Sequence, residues 1–243
     1  MNAITDTITD TSTLADIVTT HPTLARELEH RNLDYCCGGG TTLADACSAN
    51  GLDVAIVIDE LAAATSDAPS APGEAWATMG LVQLVDHLEA THHEYLWAEL
   101  PRLSALLDKV LSVHGERHPE LAAIHECYTT IRADLEPHLT KEERVLFPMI
   151  RELATASAPS ASDRPSLQPP ISVMLSEHDT VGDLLRRLRQ LTDGYRPPAD
   201  GCGSYEALFA GLEWLEADTH LHIHKENNLL FPAVVQVEQR LGS

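Results

Sequence analysis

The chain has 243 residues, with 16 Lys plus Arg against 37 Asp plus Glu, a formal net charge of −21. That balance argues against partners that present phosphate, nucleic acid and anionic lipid alike, while an apolar share of 44% is enough to build a buried core. The five cysteines are scattered apart from one adjacent pair, which is not a secreted disulfide framework. No run approaches the ~20 apolar residues of a membrane helix. The N-terminus, MNAITDTITDTST, has neither a basic start nor an apolar run, so no signal peptide is expected and the cytoplasm is the expected compartment.

Residues 1–12 are rich in Thr and Asp and are expected to be disordered. A small helical unit is expected over 13–64. Thr13 caps a short helix that ends near His21-Pro22, and a second helix runs from Thr23 to Asn32. Cys36-Cys37 and three glycines, Gly38 to Gly40, then stop the helix and permit positive φ. Thr41 or Thr42 caps a third helix to Asn50, with Gly51 as its stop, and Asp53 caps a fourth over 54–64. About fifty residues make a marginal core, so this unit should dock on something or form a homodimer.

Residues 65–78, rich in Ser, Ala, Pro and Gly, read as a linker. Four long helical patterns follow over 79–241: Leu81 to Leu111, Pro119 to Leu153, Ile171 to Tyr195 and Ser204 to Arg240. A Pro/Ser/Ala loop spans roughly 155–170. No segment alternates with period two for long enough to be a strand. The expected fold is therefore all-α, a four-helix bundle with a small N-terminal helical domain. Prolines at 101, 137, 148 and 232 interrupt these helices, and Pro148 and Pro232 should kink theirs.

One stretch occurs twice. His138-Leu-Thr-Lys-Glu142-Glu-Arg-Val-Leu146-Phe147-Pro148 recurs as His222-Ile-His-Lys-Glu226-Asn-Asn-Leu-Leu230-Phe231-Pro232. Each copy sets an imidazole and a carboxylate four residues apart, on one helical face. His93 and His178 stand 45 and 44 residues ahead of the two copies, each with apolar residues at i+3, i+7 and i+10. The bundle thus reads as a duplicated helix pair, each half supplying one His and one His-x-x-x-Glu.

Four His and two Glu can hold two metals, each with two imidazoles and two carboxylate oxygens if Glu142 and Glu226 both bridge. A bridging oxide or hydroxide would leave one open position per metal. The mixed set suits iron or manganese and not structural zinc, and its richness in His points to the hemerythrin type over ferritin chemistry. A single His-x-x-x-Glu is usually a surface ion pair; the matched Lys, Leu, Phe and Pro of the two copies carry the metal reading. His92 competes with His93, and alignment to His178 favours His93. The histidines at 87, 114, 118, 125, 220 and 224 have no repeat counterpart and are read as surface or supporting residues. Phe147, Phe231, Trp97 and Trp214 are expected in the core.

Cys36-Cys37 is a second candidate site. A thiolate just ahead of a helix would have its pKa lowered by the dipole and its reactivity raised; the alternative is a buried Cys beside a Gly turn. Cys47, Cys127 and Cys202 are read as ordinary.

Leu33-Asp-Tyr-Cys-Cys-Gly-Gly in a small helical unit, followed by the His-rich bundle, resembles the repair-of-iron-centres family. Lys141-Glu142-Glu143, Leu146-Phe-Pro-Met-Ile150, Ile171-Ser-Val-Met174, Ser176-Glu-His-Asp179 and Glu226-Asn-Asn-Leu-Leu-Phe-Pro232 are similar to its signatures. The resemblance covers roughly Leu14 to Val237. It implies a hemerythrin-like bundle with a non-haem di-iron centre, oxo- or hydroxo-bridged, on His93, His138, Glu142, His178, His222 and Glu226. It implies repair of iron–sulfur clusters damaged by nitrosative or oxidative stress, with iron–sulfur proteins as partners and the chain as iron donor. Cys36 and Cys37 would then act in transfer, in docking or as a redox pair. Two rival activities use the same open positions, reduction or scavenging of nitric oxide and carriage or sensing of dioxygen. This chain departs from the family in its extra N-terminal residues, a longer linker and the third glycine.

Overall fold

The structure is a computed structural model that describes residues 8–67, 76–156 and 165–242. The chain divides into two compact units, Met1–Gly80 with His220–Pro232, and Leu81–Thr219 with Ala233–Ser243. All regular elements among the described residues are helical; the single β-bridge joins Thr13 and Thr42.

In the first unit α1 spans Leu14–Thr20, and Thr13 caps it by accepting from the Asp16 backbone N–H. A 3₁₀ turn at Pro22–Leu24 leads into α2, Ala25–His30. Thr42, not Thr41, caps α3, Leu43–Ala49. Gly51 follows with a φ of 68°, the left-handed position that ends a helix at low cost. The fourth helix, α4, Val54–Asp67, runs three residues beyond its expected end. Leu14, Val18, Leu24, Leu28, Leu43 and Leu61 form the apolar interior.

Two expectations change here. Residues 1–7 of the segment expected to be disordered lie outside the described residues. Residues 8–12 are held: Ile8 is buried, and the Leu43 and Ala44 N–H groups donate to the Ser12 and Asp10 carbonyls. Most of the expected linker, 68–75, also lies outside the described residues, but Trp76 at its end is buried and sits under the Lys225 ammonium, 4.4 Å from the ring centroid.

In the second unit α5, Leu81–Leu88, passes through a π turn at Glu89–His93 into α6, Glu94–His114. A second long helix, α7, Glu120–Lys141, passes through a π turn at Glu142–Leu146 into α8, Phe147–Ala154. An unbroken α9, Gln168–Leu191, starts earlier than expected because Pro169 and Pro170 fall in its first turn, where no N–H is needed. The last helix, α10, Gly203–Lys225, passes through a π turn at Glu226–Leu230 into α11, Phe231–Gly242. Leu100, Leu103 and Leu107 of α6, Ile124, Ile131 and Leu135 of α7, Leu185 and Leu188 of α9, and Leu208, Leu212 and Leu215 of α10 make one four-helix core.

The prolines act differently from expectation. Pro101 and Pro137 sit inside continuous α6 and α7. Pro148 and Pro232 stand second in α8 and α11, each directly after a π turn. In each turn the next residue bonds back five positions, Phe147 N–H to the Glu142 carbonyl and Phe231 N–H to that of Glu226. The backbone widens at the glutamate, and the proline without an N–H follows where the widened turn closes.

None of Gly38, Gly39 and Gly40 has a positive φ. Gly39 is required for close approach instead: a Cβ there would lie 2.7 Å from the Tyr35 carbonyl oxygen, 2.6 Å from Asn228 Oδ1 and 2.9 Å from the Ala15 Cβ, while at Gly40 it would meet nothing within 4 Å. Gly39→Ala should therefore lower stability by roughly 1–3 kcal/mol through overpacking, and Gly40→Ala should be near neutral. Thermal unfolding of the two variants, followed by far-ultraviolet circular dichroism, separates them.

Candidate metal centre

The π turns fall on three of the predicted ligands. His93 ends the first, Glu142 starts the second and Glu226 starts the third. An i+4 spacing across the helix brings His138 Nε2 to 3.3 Å from Glu142 Oε2, and the second copy brings His222 Nε2 to 3.3 Å from Glu226 Oε1. The equal distances show that the sequence repeat is also a structural one. His93 Nε2 lies 3.5 Å from Glu142 Oε2, and His178 Nε2 lies 3.1 Å from His138 Nε2.

Two groups of donors result. His93, Glu142, His222 and Glu226 each offer one atom within 4.8 Å of the others, and so do His138, Glu142, His178 and Glu226. All six predicted ligands are therefore brought together, and both glutamates belong to both groups. Every member is buried, the two glutamates completely. Two carboxylates held close in a core that excludes water repel each other and lose hydration, a cost of several kcal/mol unless positive charge joins them. Four imidazole nitrogens and the carboxylate oxygens are a donor set that fits iron or manganese. The Nε2 separation of 3.1 Å matches neighbouring positions around one ion, since bonds of about 2.1 Å at a right angle put two nitrogens about 3.0 Å apart.

The other ring nitrogens explain the orientation. His93 Nδ1 is 3.0 Å from Glu143 Oε1, and His138 Nδ1 is 2.9 Å from Glu177 Oε2. A carboxylate at Nδ1 holds the proton there and leaves Nε2 as a lone pair facing the cluster. Trp97 Nε1 donates to the same Glu143 oxygen at 2.7 Å. Lys141 is ion-paired with Glu177. Burial alone would raise the Glu177 pKa, but the Lys141 and His138 contacts outweigh it and hold it below the usual carboxylate range.

These supports were not read from the sequence. The available signal was position: Glu143 follows a ligand and Glu177 precedes one. Trp97 and Trp214, expected in the core, are exposed at 38% and 60%. A tryptophan whose N–H serves Glu143 has to lie at the edge of the packing. His92, the competitor of His93, is buried elsewhere, with Nδ1 2.8 Å from Asp218 Oδ1. His114 is buried against Cys202, its Nε2 3.2 Å from the sulfur, and is not among the six. Backbone N–H groups of Tyr205 and Ser204 at the start of α10 lower the pKa of exposed Cys202, a thiol the sequence reading took as ordinary.

In the first unit the Cys loop packs on residues 220–232. Asn228 Nδ2 donates to the Tyr35 and Cys36 carbonyls at 3.3 and 3.1 Å, and Asn227 Nδ2 donates to that of Cys36 at 3.3 Å. His224 lies within hydrogen-bond distance of Thr19, Tyr35 and Asn228, and burial pushes its pKa down to about 4, so it stays neutral at physiological pH. Within this unit the Cys loop is thus held by the stretch that carries His222 and Glu226, through polar contacts. Cys36 is not activated in the way its sequence position promised. The neighbouring Cys37 thiol, burial and Asp34 all raise its pKa, and α3 starts only at Leu43, too far on for its dipole to matter.

The family model described as the hemerythrin HHE cation binding domain matches residues 84–234, and the one described as a domain of unknown function, DUF542, matches 10–65. The chain is 37% identical over 207 residues to the iron–sulfur cluster repair protein YtfE of Musicola paradisiaca strain Ech703, covering 85% of this chain and 88% of that protein. It is 34% identical over 225 residues to the protein of that name from Enterobacter sp. strain 638, and 33% identical over 226 residues to that of Shigella boydii serotype 4; each alignment covers 93% of this chain and 97% of the relative.

Glu143→Gln and Glu177→Gln should each weaken metal retention by roughly 10–100-fold, because each frees the ring proton that a carboxylate now fixes. Metal remaining on the purified variants after timed exposure to a chelator measures it; retention equal to the parent would mean the two carboxylates do not orient the ligands.

Proposed function

The chain belongs to the family of the iron–sulfur cluster repair proteins YtfE, and from that membership we propose that it restores iron–sulfur clusters damaged by nitrosative or oxidative stress, in the cytoplasm, as an iron donor. Its partners are the damaged iron–sulfur proteins. The resident centre is a non-haem di-iron site on His93, His138, Glu142, His178, His222 and Glu226. The observation that carries this reading is the shared membership of Glu142 and Glu226 in both donor groups, which is what two bridging carboxylates require.

Each chain group has a task. His93 with His222, and His138 with His178, provide the two imidazole pairs, so each pair takes one ring from each half of the repeat. Glu143 and Glu177 keep the Nδ1 protons of His93 and His138 in place and so keep Nε2 available. Burial of all six side chains excludes water, which strengthens every charge interaction among them. Iron bound there supplies open positions for a small ligand such as nitric oxide or dioxygen. The iron passed to a damaged cluster is the substrate. Proton uptake by the imidazoles competes directly with its retention.

Purified protein should hold two irons per chain, and Glu226→Gln should lower that content while the helical circular dichroism persists. The iron should be retained at neutral pH and lost on acidification, because protons compete with the metal for the imidazole nitrogens. Mixing the ⁵⁷Fe-loaded protein with an apo iron–sulfur acceptor tests donation: label appearing in the rebuilt cluster supports it. Fully retained label, with catalytic consumption of nitric oxide and a reductant, would replace donation with enzymatic turnover.

A further inference from the structure

The six-ligand cluster contains no sulfur, yet the loop Asp34-Tyr35-Cys36-Cys37 gathers a second set of donors. One oxygen of Asp34 and the sulfurs of Cys36 and Cys37 lie within 4.8 Å of one another. The two sulfurs are 3.8 Å apart, and Cys36 Sγ is 3.2 Å from Asp34 Oδ1. Both cysteines are free thiols. Their separation is nearly twice a disulfide bond of about 2.05 Å. It equals the sulfur-to-sulfur edge of a tetrahedral site, about 3.8 Å for metal–sulfur bonds of about 2.3 Å. The matching oxygen-to-sulfur edge, with a metal–oxygen bond of about 2.0 Å, is about 3.5 Å, close to the distance the loop already has.

The loop is also held ready. Asp34 Oδ1 accepts from the backbone N–H groups of Cys36 and Cys37 at 3.1 and 2.9 Å, which fixes the turn that brings the donors to one side. Asn227 and Asn228 hold its carbonyls from behind, and Gly39 lets the chain close without a Cβ. Cys36 is buried, while Asp34 and Cys37 are half-buried. A ligand would thus meet a fixed inner sulfur and an accessible outer edge.

We propose that Asp34, Cys36 and Cys37 form a second metal site, one oxygen and two sulfurs that take a single thiophilic divalent cation and leave one coordination position open to solvent. On binding, two metal–sulfur bonds replace two S–H bonds and both protons pass to the buffer, so affinity rises with pH. Two thiolates and a carboxylate carry one negative charge more than a divalent cation neutralises. The open position therefore suits a neutral, exchangeable ligand, and the cation can leave by exchange there. The occupant that the repair role would supply is ferrous iron in passage. That identification rests on the donor reading; the site itself does not.

The iron-loaded full-length protein, titrated without oxygen with Cd²⁺, reads the site through the ultraviolet thiolate-to-cadmium charge-transfer band, to which the sulfur-free cluster cannot contribute. The band should saturate at one Cd²⁺ per chain and disappear in Cys37→Ser, whose half-buried position spares the core. It should need roughly tenfold more Cd²⁺ in Asp34→Asn and be unchanged in Cys202→Ser, which lacks the exposed low-pKa thiol. Retained iron and an unaltered far-ultraviolet spectrum confirm that Cys37→Ser is folded. No band, a band that survives Cys37→Ser, or one that vanishes in Cys202→Ser overturns the site. If Cd²⁺ binds as expected but ⁵⁷Fe never reaches an apo acceptor, the site stands and the donor reading falls. If label is transferred while no band forms, the reverse holds.

Discussion

Burying Glu142 and Glu226 together is the constraint around which the bundle is arranged. Each is fully removed from water. Such a pair in a packed core is stabilised by positive charge beside it, so the burial itself favours a bound cation. The rest of the site answers that demand. Glu143 and Glu177 spend their charge at the far side of His93 and His138, where it increases the basicity of the ring nitrogens that face inward. Lys141 offsets Glu177 at the surface, so the support adds little net charge of its own.

The stretch 220–232 has a double allegiance. It presents His222 and Glu226, and within its own unit its other faces hold the Cys loop through His224, Asn227 and Asn228. Glu226 and Asn227 are consecutive residues on opposite duties, and the π turn that begins at Glu226 contains both asparagines. A displacement of Glu226 would therefore be felt at the Cys36 carbonyl with only one peptide unit between. Lys225, the second copy of the repeated lysine, reflects the same division: Lys141 meets a carboxylate, whereas Lys225 is buried over the ring of Trp76. Identical motif residues have taken different neighbours because only the second copy lies in the same unit as the Cys loop.

The bundle and the nearness of its candidate donors were legible in the sequence because their signal is periodic and duplicated. Apolar residues at helical spacing gave the four helices, and the matched offsets from His138 and His222 gave the six donors. What could not be read depends on local geometry. A π turn leaves no mark in a hydrophobic period, so the prolines at 148 and 232 were legible while the widened turns that precede them were not. The glycines after Cys37 promised unusual φ values, yet Gly39 is needed for space. Trp97 looks like core to any hydropathy argument, and only the position of Glu143 shows why its ring stands at the edge. Cys36 and Cys202 exchange their expected characters: the Cys37 thiol, burial and Asp34 raise the pKa of the first, and backbone N–H groups at an exposed helix start lower that of the second.

The π turns also set the phase of each helix. An α-helix advances about 100° per residue, so one inserted residue rotates everything after it out of phase with everything before. The insertions at Glu142–Leu146 and Glu226–Leu230 sit at the same offset in the two copies, each followed by Phe-Pro. The turn at Glu89–His93 has no counterpart in α9, which runs unbroken past His178. Glu142 and Glu226 therefore begin matched changes of phase in the two copies, while the helix that carries His93 has a third change that its counterpart lacks.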